Sequence, residues 1–396
     1  MTKINNLNEL LTLNISELAG VFVDCLCGRV HSSSIGRIVV GSGVNAEIPS
    51  YLQKYKSSRI FLVADNNTYR ICGKKILCNL QDAGFNCSLF VYETGDEELV
   101  PDERTVGRLL IEIRKDTDLL LAVGSGVIND IARTVAYKMK IPFAIIGTAP
   151  SMDGYASVVS PLIIGGIKES VICGYPEMII ADVDIAKDAP HKMHTAGVGD
   201  IIGKLIAIAD WNLSRILNGE HYCQFCAEMV LNSVKKVILN AGNIAKREAE
   251  AIEFLLEALI IAGLAIGFYG ASRPASGTEH YFAHYWDADA IARGKSHPLH
   301  GNSVGSGTYI AAHIYHRMKD LLPSELCYPE PSEVKTILDV VGAASNPRDL
   351  GISRELFERS MLHAIDGRPK YTILNLAKEN GRLIQITEEL TNLFYD

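Results

Sequence analysis

The pattern of apolar residues changes near residue 190, and this change constrains the fold more than any other feature of the sequence. Before residue 190, short runs rich in β-branched residues alternate with segments of helical period. These runs are RIVVGSG (37–43), RIFLVAD (59–65), CSLFVYE (87–93), DLLLAVGSG (118–126), PFAIIGT (142–148) and MIIADVD (178–184). Such alternation predicts a parallel sheet with helices on both faces, including helices over 45–56 and 102–115.

The second half of the chain is predicted to be helical, because strand-like runs disappear there. Helical period covers the segments 200–217, 222–240, 245–268, 303–320 and 354–366. Pro190 and the small polar residues of DVDIAKDAPHKMHTAG interrupt the pattern on both sides. We therefore expect an α/β, Rossmann-like parallel-sheet domain over 1–190 and an all-α domain over 191–396, with a cleft between them.

The charge of the chain excludes two classes of partner. The 396 residues carry a net charge of −8 and contain no block of Lys and Arg, so neither nucleic acid nor an anionic membrane surface is expected to bind. The first twenty residues are polar and lack the apolar core of a signal peptide. The apolar run 254–271 contains Glu257 and several glycines, which favours a buried core helix over a membrane span. We expect a cytoplasmic protein with no membrane insertion.

The nine cysteines are irregularly spaced, and only Cys25/Cys27 and Cys223/Cys226 form close pairs. An odd number of cysteines does not indicate a disulfide framework, and the single C-x-x-C lacks the second copy of a common zinc motif. We expect reduced thiols, with a redox or metal role as the alternative.

Two glycine turns compete for a dinucleotide. GSGVNA (41–46) matches the G-x-G-x-x-A pattern, and Asp65 lies 24 residues after Gly41, where an acidic residue could meet a ribose hydroxyl. GSGVIND (124–130) also offers backbone N–H groups at a helix N-terminus. The first turn is the better match in form, and for each turn a structural role without ligand is the alternative. Together they predict a nucleotide ligand.

A polar loop, TAPSMDGYAS (148–157), follows the fifth predicted strand. Ligands of open α/β sheets bind outside the carboxyl ends of the strands. The hydroxyl groups of Thr148, Ser151 and Ser157 and the carboxylate of Asp153 suit a sugar, a nicotinamide amide or a polyol. A Ser/Thr-rich turn without ligand is the alternative.

Four of the eleven histidines fall between residues 276 and 301: His280, His284, His297 and His300. With Asp200 in AGVGDIIGKL, two of these imidazoles could form a three-ligand divalent metal site with open positions for water or substrate. His280 and His284 are spaced as in a zinc-protease helix, but the glutamate of H-E-x-x-H is absent. The cluster predicts a metal site, and spacing alone does not identify the ligands.

The motifs in chain order resemble those of the sn-glycerol-1-phosphate dehydrogenase family. They are GSGVIND, TAPSMDGYAS, AGVGDIIGK, SRPASGTEHYFAHYWD and HPLHGNSVGSGT. The resemblance extends from residue 37 to RPKYTIL (368–374). This family is grouped with glycerol dehydrogenases, iron-type alcohol dehydrogenases and dehydroquinate synthases. The resemblance implies a dehydroquinate synthase-like fold, with NAD(P) bound by the first domain and metal and substrate by the second.

The resemblance also assigns roles to individual residues. It implies a metal held by Asp200, His280 and His300, and substrate contacts and catalysis by Asp153, Asp200 and His284. The implied NAD(P) contacts are Asp65, Gly126, Val127, Ile128, Asn129, Asp130, Thr148, Ala149, Pro150, Ser151 and Ser157. The 41–46 turn is then structural. Ser125 stands where many relatives have glycine, and we expect little effect because the loop binds through its backbone.

The implied activity is the reversible reduction of dihydroxyacetone phosphate, a phosphorylated triose, to sn-glycerol 1-phosphate with NADH or NADPH. One divalent ion is implied, nickel or zinc rather than iron, in a homodimer. The cations available to the substrate phosphate are Lys204, Arg273, Arg293, Lys295 and His297. The nearest alternative is a polyol dehydrogenase acting on unphosphorylated glycerol or a related alcohol. A lyase of the dehydroquinate-synthase type and a non-catalytic nucleotide-binding protein are further alternatives.

Overall fold

The computed structural model describes residues 2–4, 9, 13–95 and 98–396, so the polar N-terminal segment lies partly outside the described residues. The strands in chain order are β1 (Thr2–Ile4), β2 (Val21–Asp24), β3 (Val30–Ser32), β4 (Arg37–Gly41), β5 (Arg59–Asp65), β6 (Asn86–Tyr92), β7 (Leu119–Gly124), β8 (Phe143–Gly147), β9 (Val159–Ile164), β10 (Ile167–Ile172) and β11 (Met178–Asp182). All six strands predicted from the sequence are confirmed.

A six-stranded parallel sheet has the order β4-β11-β8-β7-β5-β6. Strands β7, β8 and β11 are buried at every position, as expected for parallel strands covered on both faces. The chain runs from β5 out to β6 and then returns past β5 to β7, so the winding reverses between β5 and β7. Dinucleotides bind at such a switch point.

The longer helices are α1 (Lys74–Asp82), α2 (Glu103–Glu112), α3 (Gly126–Met139), α4 (His191–Asn218), α5 (Gln224–Leu239), α6 (Ala249–Tyr269), α7 (Thr278–Ala292), α8 (His300–Arg317), α9 (Pro331–Val341), α10 (Arg354–His363), α11 (Ile373–Glu379) and α12 (Leu383–Tyr395). Short α-helical segments are Ile48–Tyr51, Asn66–Thr68, Val183–Ala186 and Ala241–Ala245, and Tyr69–Gly73 is a π-helical turn. Turns of 3₁₀ helix are Ile15–Leu18, Val44–Glu47, Gln53–Tyr55, Asp153–Ala156, Lys319–Leu321 and Pro347–Leu350.

Two sequence predictions about helices are wrong in detail. The predicted helix over 45–56 is a series of short turns, with a proline near the start of Ile48–Tyr51. The segment HKMHTAG is helical and not a linker, because α4 begins at His191 directly after Pro190. The division into domains at residue 190 stays a prediction, although the six-stranded sheet lies before this residue and α4 to α12 lie after it.

Helix α6 is the one helix in the described part of the chain that is long and apolar enough to cross a membrane. It is 67% buried in its most apolar window, and Leu255, Leu259 and Leu264 have no exposed surface. It therefore has the character of the core helix that the sequence predicts.

Two small sheets were not predicted from the sequence. β2 and β3 form an antiparallel hairpin, with β1 parallel to β2. β9 and β10 form a second hairpin between β8 and β11 in the chain. From this second hairpin Lys168 reaches α7, where its Nζ lies 2.8 Å from Oδ2 of Asp287.

Candidate active site

The site lies where α4 and α8 cross with their backbones in contact. A Cβ atom on Gly301 would lie 1.9 Å from the carbonyl oxygen of Ala196, and one on Gly199 would lie 2.1 Å from the carbonyl oxygen of Gly301. Only residues without a side chain allow this approach. Because Asp200 and His300 are the neighbours of these glycines, the crossing brings together residues a hundred positions apart.

Two further glycines allow the backbone of the loop after β8 to pack closely against the helical part of the chain. A Cβ atom on Gly197 of α4 would lie 1.9 Å from the carbonyl oxygen of Pro150, and one on Gly263 of α6 would lie 2.4 Å from that of Asp153. The predicted substrate loop therefore rests directly on α4 and α6. This contact places Asp153 beside Asp200.

Lys204 lies between the two aspartates of the site. Its Nζ is 2.5 Å from Oδ1 of Asp200 and 2.8 Å from Oδ2 of Asp153, and the Asp153 amide donates to Oδ2 of Asp200 at 3.0 Å. Asp200 and Lys204 have no exposed surface. Burial lowers the pKa of Lys204, but the two carboxylates more than offset this and raise it. Burial, together with the Asp200 charge, raises the pKa of Asp153.

Three of the four clustered histidines pack against one another, and one of them, His280, approaches Asp200. The ring centroids of His280 and His300 are 5.1 Å apart, those of His284 and His300 are 5.4 Å apart, and those of His280 and His284 are 6.1 Å apart. Nε2 of His280 lies 3.7 Å from Oδ1 of Asp200. Burial holds the pKa of His280 and that of His284 well below the usual range, so both imidazoles are neutral near pH 7. Neutral imidazole is the form that binds metals.

Glu279 orients His280. Its Oε1 lies 2.6 Å from Nδ1 of His280, so Nδ1 carries the proton and Nε2 presents its lone pair towards Asp200. A carboxylate behind a metal-binding histidine is a recurrent arrangement that fixes the ring and its tautomer. Glu279 has no exposed surface, and burial raises the pKa of its carboxyl to about 8. The sequence analysis missed this residue, although it directly precedes His280.

Two of the three predicted ligands, Asp200 and His280, are close enough to share one divalent metal ion. Two ligand atoms that each lie about 2.1 Å from one ion are at most about 4.2 Å apart, a limit that the 3.7 Å between Asp200 and His280 satisfies. In this part of the described structure, the three ligand atoms found within 4.8 Å of one another belong to His284, Asp287 and His300, and the predicted set of Asp200, His280 and His300 does not form such a group. Nδ1 of His300 and Oδ1 of Asp287 are buried and lack a hydrogen-bond partner. His300 belongs to both sets, and His280 alone has a carboxylate that fixes its tautomer.

The predicted pyrophosphate loop lies between β7 and α3. The first-turn amides of a helix have no partner within it, and the Ser125 side chain does not cap those of α3, which begins at Gly126. Val127 and Ile128 continue this turn. A Cβ atom on Gly124 would lie 2.6 Å from Cβ of Ile128, which explains the glycine at this position. The Ser125 hydroxyl instead bonds that of Ser151 at 2.7 Å and so joins the two predicted cofactor loops.

The side chains of Asn129 and Asp130 are directed towards Arg133. Arg133 is buried and donates to Oδ1 of Asn129 and to the carbonyl oxygen atoms of Tyr155 and Val159. Burial raises the pKa of Asp130 to about 7, although the Arg133 charge opposes this. Through Arg133, these two predicted cofactor residues stabilise the turn after Asp153. Their side chains are therefore engaged within the protein, and the loop would contact a ligand through its backbone. Arg133 was missed because nothing in the sequence separates it from a surface arginine.

The 41–46 turn has its amides occupied. Asp182, at the end of the neighbouring strand β11, accepts from the amides of Gly43 at 3.1 Å and Asn45 at 2.9 Å. An internal carboxylate therefore fills the position that a pyrophosphate would need. Asp65 accepts from the Thr68 amide at 2.8 Å and caps the next helical turn. It ends β5, whose Ala64 pairs with Val123 one residue before the loop of Gly124.

The remaining predicted loop residues lie at the carboxyl end of β8. The Thr148 amide donates to the carbonyl oxygen of Gly124 at 3.1 Å, and the Tyr155 hydroxyl donates to that of Ala149 at 2.8 Å. Ser157 is buried, and its hydroxyl accepts from the Val159 amide at 3.1 Å. The whole segment therefore borders the loop of α3.

The proposed phosphate cations are mostly engaged elsewhere. Arg273 pairs with Glu220, Arg293 pairs with Asp289, and Lys204 lies between the two aspartates. Nδ1 of His297 lies 3.5 Å from Oδ1 of Asp287, and Lys295 is exposed. Lys168, which the sequence analysis did not single out, reaches the histidine cluster through Asp287.

Comparison with known proteins gives a consistent result. A family model described as iron-containing alcohol dehydrogenase matches residues 39–190. The glycerol-1-phosphate dehydrogenase (NAD(P)+) of Halalkalibacterium halodurans is 33% identical over 385 residues, which cover 90% of this chain and 96% of the relative. The same enzyme of Geobacillus thermodenitrificans is 32% identical over 378 residues, covering 88% and 94%.

Among solved structures, an iron-containing alcohol dehydrogenase from Thermococcus thioreducens superposes with a TM-score of 0.68 at 15% identity, over 90% of this chain and 98% of that chain. This likeness confirms the predicted fold class, an α/β domain followed by a helical one.

Proposed function

The chain belongs to the glycerol-1-phosphate dehydrogenase family and is an NAD(P)-dependent oxidoreductase, and we propose that its site reversibly reduces dihydroxyacetone phosphate to sn-glycerol 1-phosphate. One observation carries the proposal. His280 lies 3.7 Å from Asp200 and packs in one cluster with His284 and His300, and Asp200 accepts from the amide of Asp153, whose loop borders the free helix N-terminus of α3. Oxygen and nitrogen donors are thereby brought next to a dinucleotide site.

We assign the metal to Asp200, His280 and His300, and we favour nickel or zinc over iron. Support comes from the carboxylate oxygen of Asp200 at 3.7 Å, the neutral imidazole of His280 and the fixed tautomer of that ring. Bound metal supplies Lewis-acid polarisation of the substrate carbonyl, and bound NAD(P)H supplies the hydride. The Lys204 ammonium group lies 2.5 Å from Oδ1 of Asp200. The carboxylate of Asp200 would therefore contact both Lys204 and the metal ion.

The chain's own residues position the substrate and move its protons. Asp153 is tied to Lys204 through its carboxylate and to Asp200 through its amide, so it is rigid enough to accept a hydrogen bond from a substrate hydroxyl group. His284 is half-buried and neutral and is adjacent to both other histidines. On oxidation the neutral ring can accept the proton of the C2 hydroxyl group and pass it to solvent. On reduction the same ring, once protonated from solvent, can return a proton to the C2 oxygen atom.

The cofactor is assigned to the carboxyl edge of the sheet. The amides of Gly126, Val127 and Ile128 suit the pyrophosphate, because the helix N-terminus carries a partial positive charge. The loop from Thr148 to Ser157, joined to that helix by Ser151, suits the nicotinamide end. Asp65 at the end of β5 suits the ribose and favours NAD over NADP.

The decisive experiment measures NAD(P)H oxidation by the protein with dihydroxyacetone phosphate and with unphosphorylated dihydroxyacetone, after loading with nickel, zinc or iron, and determines the chirality of the product. Phosphate-dependent formation of the sn-1 product is expected. Equal rates with both substrates would identify a polyol dehydrogenase instead. A lasting change in NADH absorbance separates either dehydrogenase from a lyase that regenerates its NAD.

Substitutions distinguish between the two possible sets of metal ligands. We expect Asp200→Asn to lose the catalytic metal and Asp287→Asn to retain it. The opposite result would assign the metal to His284, Asp287 and His300. A homodimeric state, a cytoplasmic location and the domain division at residue 190 stay predictions.

A further inference from the structure

A second group of metal-binding side chains lies outside the proposed active site. Cys25, Cys27 and His31 lie on or beside the hairpin of β2 and β3, and Cys223 precedes α5. Their four ligand atoms, three sulfur and one nitrogen, all lie within 4.8 Å of one another. We refer to these four residues as the cysteine cluster. His31 and Cys223 have no exposed surface, whereas Cys25 and Cys27 are partly exposed.

The spacing of the ligand atoms matches a tetrahedral zinc site. With bonds of about 2.3 Å to sulfur and 2.0–2.1 Å to nitrogen, tetrahedral geometry separates two sulfur atoms by about 3.8 Å and a sulfur from a nitrogen by about 3.6 Å. The Sγ atoms of Cys25 and Cys223 are 3.7 Å apart. Nε2 of His31 lies 3.4 Å from Sγ of Cys27 and 3.2 Å from Sγ of Cys223. These three pairs would need to shift by only a few tenths of an ångström around a central ion, and the remaining pairs lie within 4.8 Å of one another.

The imidazole of His31 is held in the orientation that a ligand needs. Nδ1 lies 2.7 Å from the carbonyl oxygen of Phe268, so Nδ1 carries the proton and the lone pair of Nε2 faces the sulfur atoms. The rings of Phe225 and Phe268 stack on either side of the imidazole, with centroids 6.0 and 6.1 Å away. A fixed tautomer inside an apolar shell is the usual environment of a metal-binding histidine.

The backbone positions the thiols on both sides of the cluster. The chain between Cys25 and Arg29 makes a tight turn, with Gly28 at a φ of +83° and its amide bonded to the carbonyl oxygen of Cys25. On the other side, the Cys226 amide donates to Sγ of Cys223 at 3.4 Å. Amides that donate to sulfur stabilise a thiolate, which is the form that binds metal.

We propose that Cys25, Cys27, His31 and Cys223 bind one zinc ion as a structural site. All four positions of a tetrahedral ion are filled by protein, which leaves none open for substrate and excludes a catalytic role. On binding, the three thiols release their protons to solvent and the imidazole coordinates as the neutral form. Soft thiolate donors select zinc over the harder divalent ions.

The zinc would fasten the N-terminal hairpin to the helical part of the chain. His31 and Cys223 are 192 positions apart. The direct contacts near the cluster are modest: Nε2 of His221 lies 3.0 Å from the carbonyl oxygen of Cys27, and Arg29 reaches that of Tyr269 at 3.4 Å. Together with the contact of His31 to Phe268, these bonds already join the two parts, and a bound ion would add four coordinate bonds across the same interface.

The test is substitution with cobalt, whose spectrum reports sulfur ligation. The reduced wild-type protein is stripped of metal, titrated with Co²⁺ alone and followed by its visible and near-ultraviolet absorption. We expect tetrahedral d–d bands with an intense sulfur-to-metal charge-transfer band, which one equivalent of Zn²⁺ abolishes. The proposed catalytic ligands are oxygen and nitrogen only, so Asp200→Asn should retain the charge-transfer band.

Variants assign the ligands. Cys27→Ser and His31→Gln should lose the charge-transfer band and tightly held zinc, and Cys87→Ser, which removes another partly exposed thiol, should keep both. Wild-type protein that binds Co²⁺ without a charge-transfer band would overturn the proposal even if the variants fail to fold. A disulfide between Cys25 and Cys223 in protein purified anaerobically, detected by mass spectrometry, would overturn it as well.

Discussion

The substitution Gly301→Ala tests the claim that contact between helix backbones builds the active site. The added Cβ atom would lie 1.9 Å from the carbonyl oxygen of Ala196 and 2.6 Å from its carbon atom. Both are backbone atoms within α4, so no side-chain rotation relieves the clash. Ordinary contact begins near 3.4 Å, and the helices must therefore separate by the difference, about 1.5 Å.

This separation has two measurable consequences. Overpacking of a core costs about 1–3 kcal/mol, and we expect about 3 kcal/mol here because backbone must move against backbone. Asp200 and His300 lie on the two helices being separated, and a misplacement of about 1 Å in a catalytic group lowers the rate about 100-fold. We therefore expect at least a 100-fold loss in kcat/KM together with loss of the catalytic metal.

The assay compares the unfolding free energy, the metal content and kcat/KM of Gly301→Ala with those of Gly107→Ala. Gly107 lies within α2, and nothing lies within 4 Å of its hypothetical Cβ atom. This control should be stabilised by up to about 1 kcal/mol, because alanine is the better helix former. If Gly301→Ala retains its metal and a kcat/KM within about twofold of the wild type, the close crossing does not position the site and the argument fails.

Three further predictions follow from single residues. At about pH 9, above the Glu279 pKa of about 8, Glu279→Gln should weaken catalytic metal binding about 10-fold in a competitive chelator titration, because the amide oxygen still accepts from His280 but carries no charge; unchanged affinity would contradict the role of Glu279. Lys168→Met should raise KM for the phosphorylated substrate about 10-fold and leave the reaction with dihydroxyacetone unchanged, because it removes a cation beside the histidine cluster; an unchanged KM would show that another group binds the phosphate. Burial lowers the pKa of His313 from 6.5 to about 4, so folding stability should fall as the pH drops through this window, and urea unfolding of His313→Gln should show a weaker dependence on pH.

The sequence predicts the sheet well because strand formation is locally encoded. The run LLLAV (119–123) is apolar at every position, which is typical of strands covered on both faces, and β7 is buried throughout. The hairpin of β9 and β10 was missed because this local signal is absent there. β10 is mostly exposed, and its sequence IKESVI lacks an apolar face. Lys168 therefore reached the site from an element that the sequence did not predict.

Within the site, the residues with distinctive chemistry could be predicted from the sequence. The residues that position them through hydrogen bonds could not. Asp200, His280 and His300 belong to motifs with a recognisable composition. Glu279 and Arg133 act through hydrogen bonds to those motifs, and their roles depend on which atoms face them in the folded chain. The same holds for the cysteine cluster, because Cys223 meets Cys25 only after the hairpin has docked on α5 and α6.

The two glycine turns show why form alone misleads. Both sequences predict a strand, a tight turn and a helical start, and both do form a turn of this kind. A pyrophosphate needs amides that are free, and their availability depends on what else the fold brings to them. Asp182, which lies 139 positions from Gly43, occupies the amides of the 41–46 turn because β11 and β4 are neighbours. The amides of α3 face no such carboxylate in the described structure, since the neighbouring strand β8 ends at Gly147 and is followed by Thr148. The 41–46 turn, which fits the G-x-G-x-x-A pattern better, is thus the turn whose amides already donate to an internal carboxylate.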